Sequence, residues 1–277
     1  MLSDISLWQL LSGVVLALLI SWLSFRFRLL SFSGAIGATI LGIIVFGLGG
    51  LRWAILLLGF FISSSGLSKL LGRRKQNVTE KFAKGSTRDI GQVFANGGVA
   101  GVFVIFHLFF PGEAWPWLAF AGSLAAVNAD TWATELGVLS ITSPIHIISG
   151  KKVEKGTSGG ISIEGTLAAF LGSLLMGGLA VAAWPRQIIP FENTSWWLPV
   201  LTIAFSGLFG SLVDSFLGAR FQTIFYCPTC KKETERFPLH LCNTRTEYLR
   251  GLRWMNNDWV NLICALSGGV MMLLASL

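Results

Sequence analysis

A chain of 277 residues, 53% of them hydrophobic and only 13% charged, is not a soluble domain wrapped around one core. Its mean hydropathy of +0.66 and repeated apolar runs of about 20 residues belong to a multi-spanning helical membrane protein. The excess of 21 Lys+Arg over 14 Asp+Glu fits basic cytoplasmic loops better than a nucleic-acid surface, and the four cysteines make no secreted disulfide framework.

Eight spans follow in order: Leu7–Phe25, Phe32–Gly49, Trp53–Leu71, Ile90–Phe110, Trp115–Leu139, Ile161–Trp184, Trp196–Ala219 and Asp258–Leu277. No basic residue precedes the first and no small-residue cleavage site follows it, so it reads as a retained span rather than a signal peptide. All basic residues except Arg52 and Arg186 fall at or after the ends of spans one, three, five and seven. The positive-inside rule then places both termini outside and loops 72–89, 140–160 and 220–257 in the cytoplasm. The expected fold class is all-α: a single polytopic helical bundle over residues 1–277. Trp8, Trp53, Trp115, Trp117, Trp184, Trp196 and Trp197 fall at the outer ends, where a headgroup belt of amphipathic rings is expected.

Span two carries Gly34, Gly37, Ala38, Gly42 and Gly47, spaced for close helix packing in lipid. Span three ends in Ser63-Ser64-Ser65 with Lys69, which either snorkels to the interface or touches phosphate. The next loop holds Arg73, Arg74 and Lys75 and ends at Arg88 and Asp89. Span four then places Gln92 and Asn96 on one helix face, where amides either bond across helices or line a cavity.

The informative acids lie inside spans or at their inner edges, where ionisable groups are costly and face a cavity or a partner. Outside acids are confined to Asp4, Glu113 and Glu192, whereas Asp130, Glu135, Glu164, Asp214 and Asp258 gather at the basic end. Asp130 and Asp214 occupy similar places on spans five and seven, each beside small residues (Ala133 and Gly137; Gly207, Gly210, Ser211 and Gly218). Such a stripe either packs helices or leaves room for a ligand. Hard carboxylate oxygens suit Mg²⁺ with substrate phosphates. The loop Lys151-Lys152 followed by Gly156-Thr157-Ser158-Gly159-Gly160, directly before span six, supplies positive charge and unobstructed backbone amides for anions, although it is not a Walker A motif.

In the last loop, Cys227-Pro-Thr-Cys230 with His240 and Cys242 can close a Cys3His zinc site as a structural staple, although reduced cytoplasmic thiols need no metal. Asn256, Asn257 and Asp258 open span eight, either as a helix cap or with Asn261 as part of a polar cluster.

These pieces together resemble the integral-membrane family called domain of unknown function 92, which includes the plastid phytyl-phosphate kinase of plants. The resemblance rests on Asn128-Ala-Asp-Thr-Trp-Ala-Thr-Glu-Leu-Gly137, Gly150-Lys151, Gly156-Thr-Ser-Gly-Gly160, Gln92-Val-Phe-Ala-Asn-Gly-Gly98, Gly210-Ser-Leu-Val-Asp214-Ser-Phe-Leu-Gly218 and Asn256-Asn257-Asp258. It covers nearly the whole chain; the Cys/His loop departs from the eukaryotic pattern, which argues against a catalytic zinc. The resemblance implies phosphorylation of an isoprenoid monophosphate to its diphosphate, with CTP or another nucleoside triphosphate as donor and no nucleic-acid partner. The implied roles are Asp130 and Asp214 on Mg²⁺, with Glu135 and Asp258 behind them. Lys151, Lys152 and residues 156–160 would hold the donor, and Arg88, Asn96 and Asn128 the acceptor phosphate. Asn257 joins this set beside Asp258. A CTP-dependent cytidylyltransferase and a small-molecule or ion transporter are the alternatives, separable by product identity and by flux without nucleotide. The membrane expected is a cell inner membrane or an internal photosynthetic one, with the site on its cytoplasmic face.

Overall fold

A computed structural model describes residues 6–71, 81–185 and 195–276. Asp4, Arg73, Arg74, Lys75, Arg186 and Glu192 lie outside them. The helices are α1 (Leu7–Arg26), α2 (Phe32–Gly42, continuing as a π-helix over Ile43–Gly49), α3 (Leu51–Leu71), α4 (Ile90–Phe109), α5 (Trp115–Gly137), α6 (Ile163–Ala182), α7 (Trp197–Arg220) and α8 (Asn257–Ser276). Seven of these are long and apolar enough to cross a membrane, α5 being the exception.

That exception is the organising helix. Along α5 every residue from Pro116 to Ala129 is buried, with Trp117, Ala119, Phe120 and Leu124 at 0% exposure. Helices α3, α4, α6, α7 and α8 pack around it, with α1 and α2 added on the outside, and Leu11, Val15, Leu18, Leu167, Leu171, Phe205 and Phe209 turn outward, as lipid-facing surfaces require. Because α5 meets protein on all sides, it can carry Asn128, Asp130 and Glu135 without exposing them to hydrocarbon.

Small residues set the spacing. A Cβ on Gly207 would lie 2.8 Å from that of Ala125, one on Gly210 2.5 Å from that of Ala126, and one on Gly268 also 2.5 Å from that of Ala126. On the other side, Gly13 and Gly47 let α1 press onto the π-segment, and Gly42 meets Ala17. The glycines of the second span are therefore packing residues.

The tryptophan belt is only partly as expected. Trp8, Trp196 and Trp197 are exposed, but Trp53, Trp117 and Trp184 are buried. Trp53 packs against Trp117, Phe120 and His107, with ring centroids 4.8–5.0 Å apart. An indole at the end of an enclosed helix gains more by filling the core than by reaching the headgroups.

The loops after α1, α3, α5 and α7 meet at one end of the bundle. The Ser31 amide donates to the Arg88 carbonyl (2.9 Å), Lys81 pairs with Glu154 (2.9 Å), and the Glu235 amide donates to the Lys81 carbonyl (2.8 Å). Two of these loops carry small antiparallel sheets where plain loops were expected. One pairs β1 (Ile145–His146) with β2 (Gly160–Ile161); the other has the order β4-β3-β5 from β3 (Ile224–Cys227), β4 (Lys232–Thr234) and β5 (Glu247–Arg250).

Candidate functional site

The Ala126–Gly210 contact has a direct consequence one helical turn further on. Residues four apart share a helix face, so the pinch between α5 and α7 aims Asp130 and Asp214 at each other. Their carboxyl groups lie within hydrogen-bonding reach, and Asp214 Oδ2 is buried with no hydrogen-bond partner among the described residues. Of the small residues beside the acids, Gly207 and Gly210 are thus part of the seam that builds the pair, whereas Gly137 packs against Gly165 of α6 and Gly218 against Ser158. Two carboxylates in contact cannot both keep their charge without a shared proton or a cation. An orphaned buried carboxylate oxygen with a second carboxylate beside it is a donor set that fits a hard divalent ion such as Mg²⁺.

One further acid, Glu235, approaches this pair, and Asp258 lies near Glu235 in turn. Glu235 follows β4 and accepts from the Ala83 amide (3.2 Å) and from Gln222 Nε2 (2.7 Å). Burial pushes its carboxyl up and Asp258 adds to this, while the two hydrogen bonds oppose it; the net shift is upward. The charge of Glu235 is also felt at Asp214. Asp258, on the first turn of α8, takes Lys84 Nζ at 2.5 Å, and Lys84 also holds Asp89 at 2.9 Å. Burial pulls the Lys84 ammonium down, but the bonds and charges of Asp258 and Asp89 outweigh it and leave it raised. Asp89 in turn caps α4 through the Gln92 amide (2.9 Å). Asn256, not Asn257, caps α8, accepting from Asp258 and Trp259; Asn257 is half-buried beside it.

Glu135 points elsewhere. Five residues beyond Asp130 on a helix is a turn of roughly 140°, and Glu135 faces α3, accepting from Ser68 (2.7 Å) with the Arg88 charge nearby. Glu135 and the Asp130–Asp214 pair are therefore on different faces of α5. Arg88 donates to Ser64 (3.0 Å) and lies over the Phe60 ring. Burial draws its guanidinium down to about 10, opposed by Glu135, so it stays charged at neutral pH. Arg88, Gln92 and Asn96 line a narrow cavity of about 70 Å³ whose other walls include Ala17, Leu41, Phe46 and Leu57. Asn128 is fully buried and its amide serves structure: it accepts from Ser63 (2.9 Å) and donates to the Gly172 carbonyl (2.8 Å), tying α5 to α3 and α6. One N–H of its Nδ2 is left over from these two bonds.

The glycine loop is partly committed as well. The Thr157 and Gly160 amides donate to the Glu154 and Thr157 carbonyls, which removes two of the expected anion donors. Gly156 and Gly159 have φ of +75° and +82°, where a side chain is strained, and a Cβ on Gly159 would meet Ala219 at 2.4 Å. The loop is docked on the end of α7, with Ser158 Oγ donating to Gln222 (2.8 Å). Lys81, buried in the described structure, reaches Glu154, the Lys155 carbonyl (3.1 Å) and Thr157 (3.5 Å) and organises this turn from below. Lys155 bonds the Ser140 carbonyl, leaving Lys151 and Lys152 exposed. Lys81, Lys84, Gln222 and Glu235 escaped the sequence reading because none carries a spacing signal and each acts across a long sequence separation.

The second cluster expected from sequence is assembled. Cys227, Cys230, His240 and Cys242 bring one ligand atom each to within 4.8 Å of one another.

Helical architecture and buried acids together define a multi-pass integral membrane protein with an ionisable site at one end of the bundle. Residues 15–269 match the integral membrane protein family DUF92, and the chain belongs to that family. It is 31% identical to Protein PGR of Arabidopsis thaliana, over 94% of this chain and 93% of that one. It is 32% identical to a membrane protein of Methanocaldococcus jannaschii, over 92% and 88% of the two chains. It is 27% identical to chloroplastic Protein VTE6 of Arabidopsis thaliana, over 88% of this chain and 65% of that one. No solved structure matches.

Proposed function

We propose that this protein is a membrane-embedded kinase that converts an isoprenoid monophosphate, phytyl phosphate or a similar prenyl phosphate, to the diphosphate with a nucleoside triphosphate, CTP by preference. The observation that carries the reading is the buried contact between Asp130 and Asp214 at the end where the basic loops converge. The substrate class comes from the family resemblance of the sequence motifs, and membership of the DUF92 family and similarity to chloroplastic Protein VTE6 support that resemblance. The site faces the cytoplasm of a cell inner or internal photosynthetic membrane, because the basic loops surround it.

In the reaction, an oxygen of the acceptor phosphate attacks the terminal phosphorus of the donor. The bond from that phosphorus to the nucleoside diphosphate breaks, and the diphosphate leaves with the electron pair. The acceptor is already an oxyanion, so no side chain has to remove a proton, and catalysis is positioning plus charge stabilisation. Asp130 and Asp214 would hold Mg²⁺, whose charge neutralises the donor's phosphates. Lys151 and Lys152, exposed on the β1–β2 loop, attract the donor. The acceptor phosphate must meet the donor at the acid pair; Arg88 and Asn96 line a separate cavity on the Glu135 side of α5 and attract it from there. That cavity is too small for an extended prenyl chain, so the tail remains in the surrounding bilayer. Glu135 keeps Arg88 in place through charge and the Ser68 bond.

Purified protein is assayed with geranylgeranyl phosphate, Mg²⁺ and labelled CTP. Transfer that is lost in Asp130→Asn supports the reading, and transfer that survives it removes the metal assignment.

A further inference from the structure

We propose that Cys227, Cys230, His240 and Cys242 bind one zinc ion, and that this ion fastens the insert of residues 221–256 against the membrane-embedded acids.

Two turns each supply two ligands. The first closes β3 onto β4: the Lys231 amide donates to the Cys227 carbonyl (2.8 Å), and the Cys230 amide points at Cys227 Sγ (3.5 Å). The second is closed by the His240 amide on the Thr244 carbonyl (2.9 Å) and the Asn243 amide on the His240 carbonyl (3.0 Å). The turns face each other with Cys227 Sγ 3.5 Å from Cys242 Sγ, Cys230 Sγ 3.5 Å from His240 Nδ1, and His240 Nδ1 3.3 Å from Cys242 Sγ. Sulfur atoms at that separation are far outside the ~2.05 Å of a disulfide. They match the edges of a tetrahedron whose metal–sulfur bonds are ~2.3 Å and metal–nitrogen bonds ~2.0–2.1 Å. Three thiolates with one imidazole is a structural zinc set that leaves no open position for catalysis.

The insert also needs such a staple. Below about 40 residues a chain segment seldom buries enough surface to hold its own shape without a metal or disulfide. Here Phe237, Leu239, Leu241, Tyr248 and Leu249 are exposed, and the sheet has only three short strands. Yet this segment must hold Glu235 in place. Glu235 directly follows β4, bonds Ala83 and Gln222, and lies within reach of the Asp214 charge. Thr234 Oγ1 and the Glu235 amide both donate to the Lys81 carbonyl, the residue that organises the glycine loop. An ion at the far side of β4 therefore secures both Glu235 and the Lys81 anchor.

The full-length protein is purified in detergent without chelator, and its metals are quantified by mass spectrometry. One zinc per chain is expected, and none in Cys227→Ser/Cys230→Ser. To separate loss of the ion from loss of the fold, wild-type protein is also stripped with an organomercurial, reduced, and returned to buffer with or without stoichiometric Zn²⁺. With zinc, alkylation of Cys227, Cys230 and Cys242 and amide exchange over residues 81–83 and 232–235 slow by about tenfold or more. Thiols that alkylate equally fast with and without zinc, or a different metal in the purified protein, would overturn the site. Zinc retention with unchanged exchange in those two segments would overturn the fastening role.

Discussion

Asp130 and Asp214 are held together by packing rather than by attraction. The Ala126–Gly210 contact and the Gly268 approach force α5, α7 and α8 into one seam, and the carboxyls are its next turn. A buried contact between two carboxyls costs stability. Asp130→Asn and Asp214→Asn are each expected to leave the thermal midpoint in detergent unchanged or higher, since a like-charge contact is relieved. Lys84 permits a different test. Asp89 is held below its ordinary value of 3.8; burial alone would raise it, but bonds from Gln92 and Lys84 prevail. A depressed carboxylate contributes stability above its unfolded value and loses it as pH falls through its folded value. A raised ammonium contributes below 10.5 and loses that contribution as pH rises through its folded value. The Lys84–Asp89 interaction should therefore be flat from about pH 5 to 10 and fade outside that window. Solvent exposure keeps its size small, and Lys84→Met should flatten the acid limb of midpoint against pH, less so in high salt.

At the scale of elements, the glycine loop and the 221–256 insert are two segments docked on the end of α7. Gly218 and Ala219 receive Ser158 and Gly159, while Gln222 joins Ser158 to Glu235. Gly159→Ala would drive a methyl into Ala219 and strain a left-handed backbone. The expected result is a raised KM for the nucleotide with a smaller loss in kcat, measured in steady state; an unchanged KM would detach the loop from donor binding. Helix ends were legible in the sequence to within about two residues, because apolar runs bounded by Gly, Pro and charged residues leave little choice. The two sheets were not. Pairs such as Ile145 with Ile161 are only two residues long and carry no alternation to read.

For the whole molecule, the sequence showed that acids and basic loops share one end but not which helix lies at the centre. A hydropathy scan ranks α5 as the weakest span, yet it is the most enclosed, because a helix surrounded by protein can hold Asn128, Asp130 and Glu135. The same enclosure turned Trp53 and Trp117 inward and committed Asn128 to its neighbours. The pairing of Asp130 with Asp214 was legible as two similar positions. The approach of Glu235 depends on tertiary folding of a loop and could not be read. Lys151→Cys should react with an impermeant maleimide only after cells are permeabilised; labelling of intact cells would invert the orientation. The most direct test of the account follows each phosphate of the donor. With prenyl monophosphate and Mg²⁺, label from the γ position of CTP should enter the lipid and CDP should be released. Label from the α position in the lipid, with release of pyrophosphate, would contradict phosphoryl transfer and identify a cytidylyl transfer instead.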